Sequence, residues 1–222
     1  MLEIACFNIQ SALAADQSGA DRLELCADYA SGGVTPSVDT LHQLCKTTTK
    51  PINVMIRPRG GNFVYSDDEF ESMKADIASM KALASGFVFG ILDEQNRVDE
   101  VRNSELVRLA GNLPCTFHRA FDKIEDMSRA TEQLVTCGFE AILTSGSPSG
   151  AVAGVDKVAE LQREWRSNIT FILGGGVRSC NLKSLSEKTQ VPWYHSAAIT
   201  APGETVDAAE VEKLALVLKS TV

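Results

Sequence analysis

The side chains most capable of chemistry stand near the ends of short apolar runs. His118 and His195 each end such a run, whereas the third histidine of the chain lies inside a helical pattern and is expected at the surface. Arg119 and Asp122 follow His118, so this imidazole could act as a general acid or base while the Asp122 carboxylate orients the ring. The segment is a candidate catalytic site, with Glu24 as a further acid or base.

Two glycine-containing segments could bind an anion. Arg57 and Arg59 precede a pair of glycines, and a forked guanidinium suits the oxygens of a carboxylate or phosphate. Three consecutive glycines follow another apolar run, where backbone N–H groups could approach an anion. The alternatives are a solvated basic turn for the first segment and a tight connection that needs positive φ for the second. The candidate anion-binding residues are Arg57, Arg59, Arg119, Gly174, Gly175, Gly176 and Ser196.

The elements that position these residues alternate between strand and helix along the whole chain. Each strand-like run is short and is followed by a helical pattern, at intervals of about 30 residues. Since no linker interrupts the alternation, we predict an α/β fold over residues 1–222, a single-domain (β/α)8 TIM-type barrel. A doubly wound open sheet is the alternative. The predicted strands are Leu2–Phe7, Arg22–Cys26, Ile52–Arg57, Phe87–Leu92, Cys115–His118, Ala141–Thr144, Thr170–Leu173 and Trp193–Ser196.

Charged residues inside the predicted strands indicate which strand faces point into the barrel. The outer face packs against apolar helices, where an unpaired charge would cost on the order of several kcal/mol. Charged side chains should therefore face the lumen, and the two-residue period of a strand assigns their neighbours. A structural salt-bridge network of two glutamates with Arg57 is the alternative to a site at the upper strand ends. The residues predicted to face inward include Glu3, Glu24, Cys26, Arg57, His118 and His195.

The composition narrows the range of partners. The chain of 222 residues has a formal net charge of −8, so phosphate backbones and anionic lipids would repel it. We therefore expect no nucleic acid and no membrane as partners. The absence of a signal-peptide pattern, together with six cysteines at scattered spacing, predicts a cytoplasmic protein with reduced thiols. No lysine lies inside a predicted strand, so a Schiff-base aldolase is not expected.

Several segments, spread in order over the whole chain, together resemble the CutC family, which is named for copper homeostasis. The resemblance implies a (β/α)8-type barrel and cytoplasmic copper handling, with Cu(I) bound by cysteine. The segments that carry it are GADRLELC (19–26), GGVTPS (32–37), MIRPRGGNFVYSDDEF (55–70), TFHRAFD (116–122), LTSG (143–146), GGGV (174–177) and HSAA (195–198).

The resemblance also implies a cysteine in the second strand, and Cys26 matches that position. Members of the family often carry another cysteine two residues after the glutamate of the first strand. Ala5 occupies this position here, and the adjacent Cys6 is predicted to face outward. Because thiolate and imidazole ligands suit Cu(I), the candidate metal ligands are Cys26, His118 and His195.

Three functions stay open at this point. The first is a copper homeostasis protein that binds Cu(I). The second is an enzyme acting on a small phosphorylated or carboxylated metabolite, with Glu24, His118 and Asp122 as candidate catalytic residues. The third is a structural barrel with a vestigial site. The expected partners are a small anion or a copper ion, and a homo-oligomer is left open because barrels often dimerise through their exposed faces.

Overall fold

The computed structural model describes residues 1–220, in which short strands alternate with helices. The elements in chain order are β1 (Leu2–Cys6), α1 (Ile9–Gln17), β2 (Arg22–Leu25), α2 (Val38–Cys45), β3 (Ile52–Met55), α3 (Asp67–Met80), β4 (Gly86–Phe89), α4 (Glu100–Ala110), β5 (Cys115–Phe117), a 3₁₀ turn (Arg119–Lys123), α5 (Met127–Cys137), β6 (Ala141–Thr144), α6 (Ala151–Trp165), β7 (Thr170–Leu173), α7 (Ser179–Thr189), β8 (Trp193–Ser196) and α8 (Ala208–Ser220).

The strands of residues 1–220 form one closed parallel barrel. Each strand pairs with the next one in the chain, and β8 returns to pair with β1. The predicted (β/α)8 barrel is confirmed, and the open-sheet alternative is excluded because the sheet has no free edge. The last two residues of the predicted 1–222 domain lie outside the described part of the chain.

Five strands end earlier than the sequence predicts. Phe7, Cys26, Arg57 and His118 fall beyond the ends of β1, β2, β3 and β5, and β4 ends at Phe89. The chain turns into loops there, and one backbone partner changes accordingly: the N–H of Arg57 donates to the Thr35 hydroxyl at 2.9 Å. These side chains therefore belong to the mouth of the barrel, at the carboxyl ends of the strands.

The two strand faces bury different sets of side chains. The inner face carries two small apolar clusters, one of Cys26, Met55 and Val88 and one of Ala141, Leu143 and Ile172. The outer face packs against the helices in a single large core, so the predicted alternation of inward and outward residues is confirmed. The strand residues predicted to face outward that belong to this outer core are Ile4, Cys6, Leu23, Leu25, Ile52, Val54, Ile56, Cys115 and Phe117.

A buried ion pair closes the lower part of the lumen. Arg22 Nε lies 2.5 Å from Glu3 Oε2, and the guanidinium stacks 4.0 Å above the ring of Trp193. Asn53 Nδ2 also donates to Glu3 Oε2 at 3.4 Å. The predicted structural network of two glutamates with Arg57 is thus corrected, since Arg22 is the arginine that pairs with Glu3.

Helix α6 approaches the loop after β6 closely because residue 154 is glycine. A Cβ atom at Gly154 would overlap the carbonyl oxygen of Ser145 and the backbone of Gly146. Only a residue without a side chain allows this contact between helix and loop. The position of Ser145 at the upper end of the barrel therefore depends on Gly154.

The substitution Gly154→Ala is expected to destabilise the protein, although alanine is the better helix former by about 1 kcal/mol. Steric overlap in a packed region outweighs this gain, so we expect a net loss of about 2 kcal/mol in the free energy of unfolding, measured in urea. Val152→Ala, at a position of α6 that is 63% exposed, is the control and should change stability by about 0.5 kcal/mol or less. A Gly154→Ala variant as stable as the parent would contradict the close contact.

Candidate functional site

A pocket of about 250 Å³ opens at the carboxyl ends of the strands. It lies where barrels of this type carry their sites. Three of the predicted site residues, Arg59, Asp122 and Gly174, do not line it. The predicted site residues that do line it are Glu24, Cys26, Arg57, His118, Arg119, Gly175, Gly176, His195 and Ser196.

His195 lies between two glutamates that project from neighbouring strands. Its Nδ1 is 2.9 Å from Glu3 Oε1, and its Nε2 is 3.7 Å from Glu24 Oε2. Strand register brings these residues together, because β1 pairs with both β8 and β2. Among residues 1–220, these three are the group whose metal-ligand atoms all lie within 4.8 Å of one another.

The charges of this group stabilise one another. Burial lowers the pKa of His195, but the carboxylates of Glu24 and Glu3 outweigh burial and raise it above its usual value. Burial raises the pKa of Glu3, but the hydrogen bond from His195 and the charge of Arg22 outweigh burial and lower it. The imidazole of His195, together with Arg22, therefore allows the Glu3 carboxylate to remain ionised inside the barrel.

Glu24 and Cys26 form the next contact towards the mouth. The thiol of Cys26 donates to Glu24 Oε2 at 3.5 Å, while Glu24 Oε1 is buried without a partner among the described residues. Burial raises the pKa of Glu24, and His195 offsets this effect only in part. Burial and the Glu24 carboxylate raise the pKa of the Cys26 thiol as well. Without a bound cation, Cys26 is therefore a neutral thiol.

His118 is a neutral, buried histidine at the end of β5. Its Nδ1 accepts a hydrogen bond from the backbone N–H of Ala120 at 3.3 Å, so the ring proton is on Nε2. Nε2 has no partner within residues 1–220. Burial, helped by the charge of Arg57, lowers the pKa of His118 to about 3. The ring packs against Phe63, with 4.8 Å between ring centroids.

Asp122 does not orient His118, and that expectation is corrected. Its carboxylate accepts hydrogen bonds from Thr144 Oγ1 at 2.6 Å and from the backbone N–H of Ser145 at 2.9 Å. Arg119 Nε at 2.8 Å and the Ser145 hydroxyl at 2.6 Å donate to its other oxygen. Asp122 therefore holds Arg119 and the loop after β6. The ring of His118 is oriented instead by the backbone N–H of Ala120, in the first turn of the 3₁₀ segment.

Arg57 lines the pocket, but most of its N–H groups donate to backbone carbonyls. Its Nη1 donates to the carbonyls of Ser31 and Gly33 at 3.1 and 3.0 Å, and its Nη2 donates to the carbonyl of Gly61 at 3.0 Å. Its Nε is buried without a partner among the described residues. Arg57 thus fixes the loops after β2 and β3, and offers a bound anion its charge and one N–H group.

Arg59 is directed away from the pocket, so its predicted role in anion binding is corrected. Its Nε lies 2.5 Å from Glu69 Oε1, and its Nη2 donates to the carbonyl of Val64 at 2.7 Å. Glu69 also forms the capping box of α3 with Ser66. The basic segment after β3 therefore contains two structural arginines, a partner choice that residue type alone does not reveal.

The triple glycine divides into one packing residue and two pocket residues. Gly174 packs tightly against Leu143, since a Cβ there would lie 2.7 Å from the Leu143 side chain. Gly175 and Gly176 have φ of 87° and 88°, in the left-handed region that favours glycine. A Cβ at Gly175 would lie 2.9 Å from Arg119 Cζ, so this glycine makes room for the arginine.

Sequence reasoning missed Arg178, which also lines the pocket. Its Nη1 donates to Ser196 Oγ at 3.1 Å and to the carbonyl of Val177 at 2.8 Å. The signal was its position directly after the GGGV segment. Ser196 Oγ in turn donates to the Val177 carbonyl and accepts from Ala198 N. Its only proton is thus used to join two loops, and the expectation that Ser196 binds an anion is corrected.

A model of the CutC family matches residues 1–200. The chain belongs to the CutC family. The copper homeostasis protein cutC homolog of Homo sapiens is 41% identical over 199 residues, covering 89% of this chain and 73% of that protein. The family protein CutC of Mesorhizobium japonicum is 40% identical over 200 residues, covering 90% and 78%. The predicted resemblance to the CutC family is confirmed.

Solved structures agree with this membership and with the fold. The putative copper homeostasis protein CutC from Streptococcus agalactiae is 33% identical, with a TM-score of 0.84, covering 89% of this chain and 98% of that one. A phosphoribosyl anthranilate isomerase from Thermococcus kodakaraensis is 13% identical, with a TM-score of 0.67, covering 98% of both chains, and shares only the fold. None of the helices in the described part of this CutC family member combines the length and apolar character needed to span a bilayer.

We expect the pKa values of the two pocket histidines to differ from that of an ordinary imidazole in opposite directions, that of His118 lower and that of His195 higher. The ring resonances of His118 should stay constant from about pH 8 to about pH 5, while those of His195 should show a midpoint above the ordinary value of about 6.5. NMR spectra of the ring carbons measure both midpoints, and His118→Asn assigns the signals. Asparagine can still accept the Ala120 N–H as a cap. A His118 midpoint near 6.5 would contradict its burial as a neutral ring.

The low pKa of His118 also has a consequence for stability. The unfolded chain binds a proton at this residue below about pH 6.5, whereas the folded protein does not until about pH 3. The contribution of His118 to the free energy of unfolding should therefore fall as the pH falls through this range. His118→Asn should weaken the loss of stability between about pH 6.5 and about pH 4, measured by urea unfolding at several pH values. An unchanged slope would contradict the linkage.

Proposed function

We propose that this chain takes part in copper homeostasis by binding one Cu(I) ion in the mouth pocket. Cys26 Sγ and His195 Nε2 are the proposed ligands, with Glu24 beside them. The observation that supports this proposal is that both atoms lie next to the same carboxylate oxygen, Glu24 Oε2, at 3.5 and 3.7 Å. A bound cation would take the place of the thiol proton of Cys26 and of the positive charge of His195, both of which now lie beside Glu24.

The chemistry of the donors fits a soft ion. Thiolate and imidazole suit Cu(I), whereas a carboxylate is a harder ligand. The contact of His195 Nδ1 with Glu3 is the arrangement in which a carboxylate orients a metal-binding imidazole and leaves the other nitrogen free. Cys26 contacts this group through Glu24, whose Oε2 lies 3.5 Å from its sulfur. Binding therefore requires the Cys26 thiol and Nε2 of the His195 ring each to release a proton to solvent, and the thiol to turn from Glu24 towards His195.

The other candidate ligands contribute less to this proposal. Neither Cys26 nor His118 belongs to the group of ligand atoms. Cys26 is included because its thiol contacts Glu24 Oε2, whereas His118 packs against Phe63 and is left out. Cys6 belongs to the outer core between strands and helices, away from the pocket. We further propose a cytoplasmic location, which the six free thiols support because such thiols persist in reducing compartments. Formation of a homo-oligomer stays a prediction.

Titration of the reduced protein with Cu(I) against a competing chelator tests the copper proposal. We expect one equivalent of tightly bound Cu(I), and a loss of affinity of about tenfold or more in Cys26→Ser. Cys180→Ser is the matched control, because Cys180 is exposed and lies outside the pocket, and it should bind as the parent does. Equal binding by the parent and Cys26→Ser would contradict the assigned ligand.

A further inference from the structure

We infer that the mouth pocket is also a binding site for a small organic anion that carries a hydroxyl or carbonyl oxygen. Its phosphate or carboxylate group is assigned to Arg119 and the N–H groups of Gly175 and Gly176, and its other oxygen to Glu24 and His118. This ligand class goes beyond metal binding.

The pocket carries positive charge in a chain whose overall charge is −8. Its lining includes Arg57, Arg119 and Arg178 against the single carboxylate of Glu24. Arg57 and Arg178 bind mainly to backbone carbonyls, which orient a guanidinium without neutralising it. A concave surface with a local excess of one charge attracts ligands of the opposite charge. An anion is therefore the ligand that this pocket favours.

Arg119 and the glycine loop form the end of the pocket suited to the charged group. Arg119 is pinned by Asp122, yet its side chain is 42% exposed and borders the pocket. Gly176 has open space where a side chain would be, so a ligand can approach its backbone. Within residues 1–220, no hydrogen bond of normal length uses the N–H groups of Gly175 or Gly176. Successive free N–H groups beside an arginine are typical of phosphate and carboxylate sites.

The opposite end of the pocket has polar atoms that need a partner. Glu24 Oε1, His118 Nε2 and Arg57 Nε are all buried and, among the described residues, without a hydrogen bond. The side chains that carry them are between 2% and 6% exposed, and all of them line the pocket. A buried polar atom without a partner is costly, so three in one pocket indicate a polar ligand. Nε2–H and Nε–H donate, which matches a hydroxyl or carbonyl oxygen.

The walls between the two ends limit the size of the ligand. Phe7 and Tyr29 pack edge to face with 5.0 Å between ring centroids, and Phe63 covers His118. The volume of about 250 Å³ is below the roughly 300 Å³ at which pockets begin to accept larger organic ligands. A volume of this size limits the ligand to a small molecule, on the order of three to five carbon atoms.

Calorimetric titration of the copper-free protein with four probes tests this inference. The probes are glycerol 3-phosphate, glycerate, inorganic phosphate and glycerol. We expect glycerol 3-phosphate or glycerate to bind about tenfold more tightly than inorganic phosphate, and glycerol not to bind. The better of the two anions identifies the charged group. Failure of both to bind better than inorganic phosphate would overturn the inference, whatever the result with copper.

Variants assign the two ends of the site. Arg119→Ala should lower the affinity for the better anion about tenfold, and Arg119→Lys should lower it less because it keeps the charge. Arg163→Ala makes the same change of charge at an exterior groove between α6 and α7, and should bind as the parent does. His118→Asn should reduce the preference for the organic anion over inorganic phosphate. Thermal melting monitored by circular dichroism confirms folding. Equal affinities in Arg119→Ala and Arg163→Ala would overturn the assignment.

Discussion

A charge inside a closed barrel persists only beside an opposite charge, and the cationic ring of His195 between Glu3 and Glu24 meets this requirement. The three residues come from adjacent strands, so the contact also joins β8, β1 and β2 across the seam where the barrel closes. Arg22 supplies a second positive charge in the lower lumen, paired with Glu3. Loss of the imidazole charge would leave Glu24 without a cationic partner in this group, and Arg22 as the remaining cation beside Glu3.

This constraint determines the chemistry available at the mouth. Because Glu3 contacts Nδ1 of His195, Nε2 faces Glu24 Oε2. The thiol of Cys26 donates to this same oxygen. Burial and the adjacent carboxylate keep that thiol protonated until a cation arrives. His118, by contrast, has no carboxylate partner and stays neutral. The pocket thus combines one charged and one neutral histidine, and the two proposed ligands, a Cu(I) ion and an oxygen-bearing anion, use different members of this pair.

The loops above the strands depend on arginines that bind backbone carbonyls. Arg57 ties the loops after β2 and β3, and Arg178 ties the glycine loop to the chain that follows β8 through the carbonyls of Val177 and Ile199. These contacts stabilise irregular backbone without consuming the charge of the guanidinium. The arginines that order these loops are therefore also the ones on which the proposed attraction for anions rests.

The lumen residues could be predicted from the sequence because a single physical rule governs them. Apolar helices cover the outer face of the strands, so Glu3, Glu24 and His195 can be accommodated only inside the barrel. The two-residue alternation of a strand then assigns the direction of their neighbours. Partners in the loops follow no such rule. Arg59 binds the carboxylate that caps α3, and Asp122 binds the loop after β6. Both choices depend on contacts between distant segments, which residue type and spacing do not specify.

Carbon-13 NMR titration of the glutamate carboxyl groups in the copper-free protein tests the central claim most directly. We expect Glu24 to protonate above the usual glutamate pKa, and Glu3 to stay ionised at a pH where an ordinary glutamate is already half protonated. Ordinary midpoints for both carboxyl groups would contradict it, because they would show that the two glutamates are not held as a buried pair around a protonated His195.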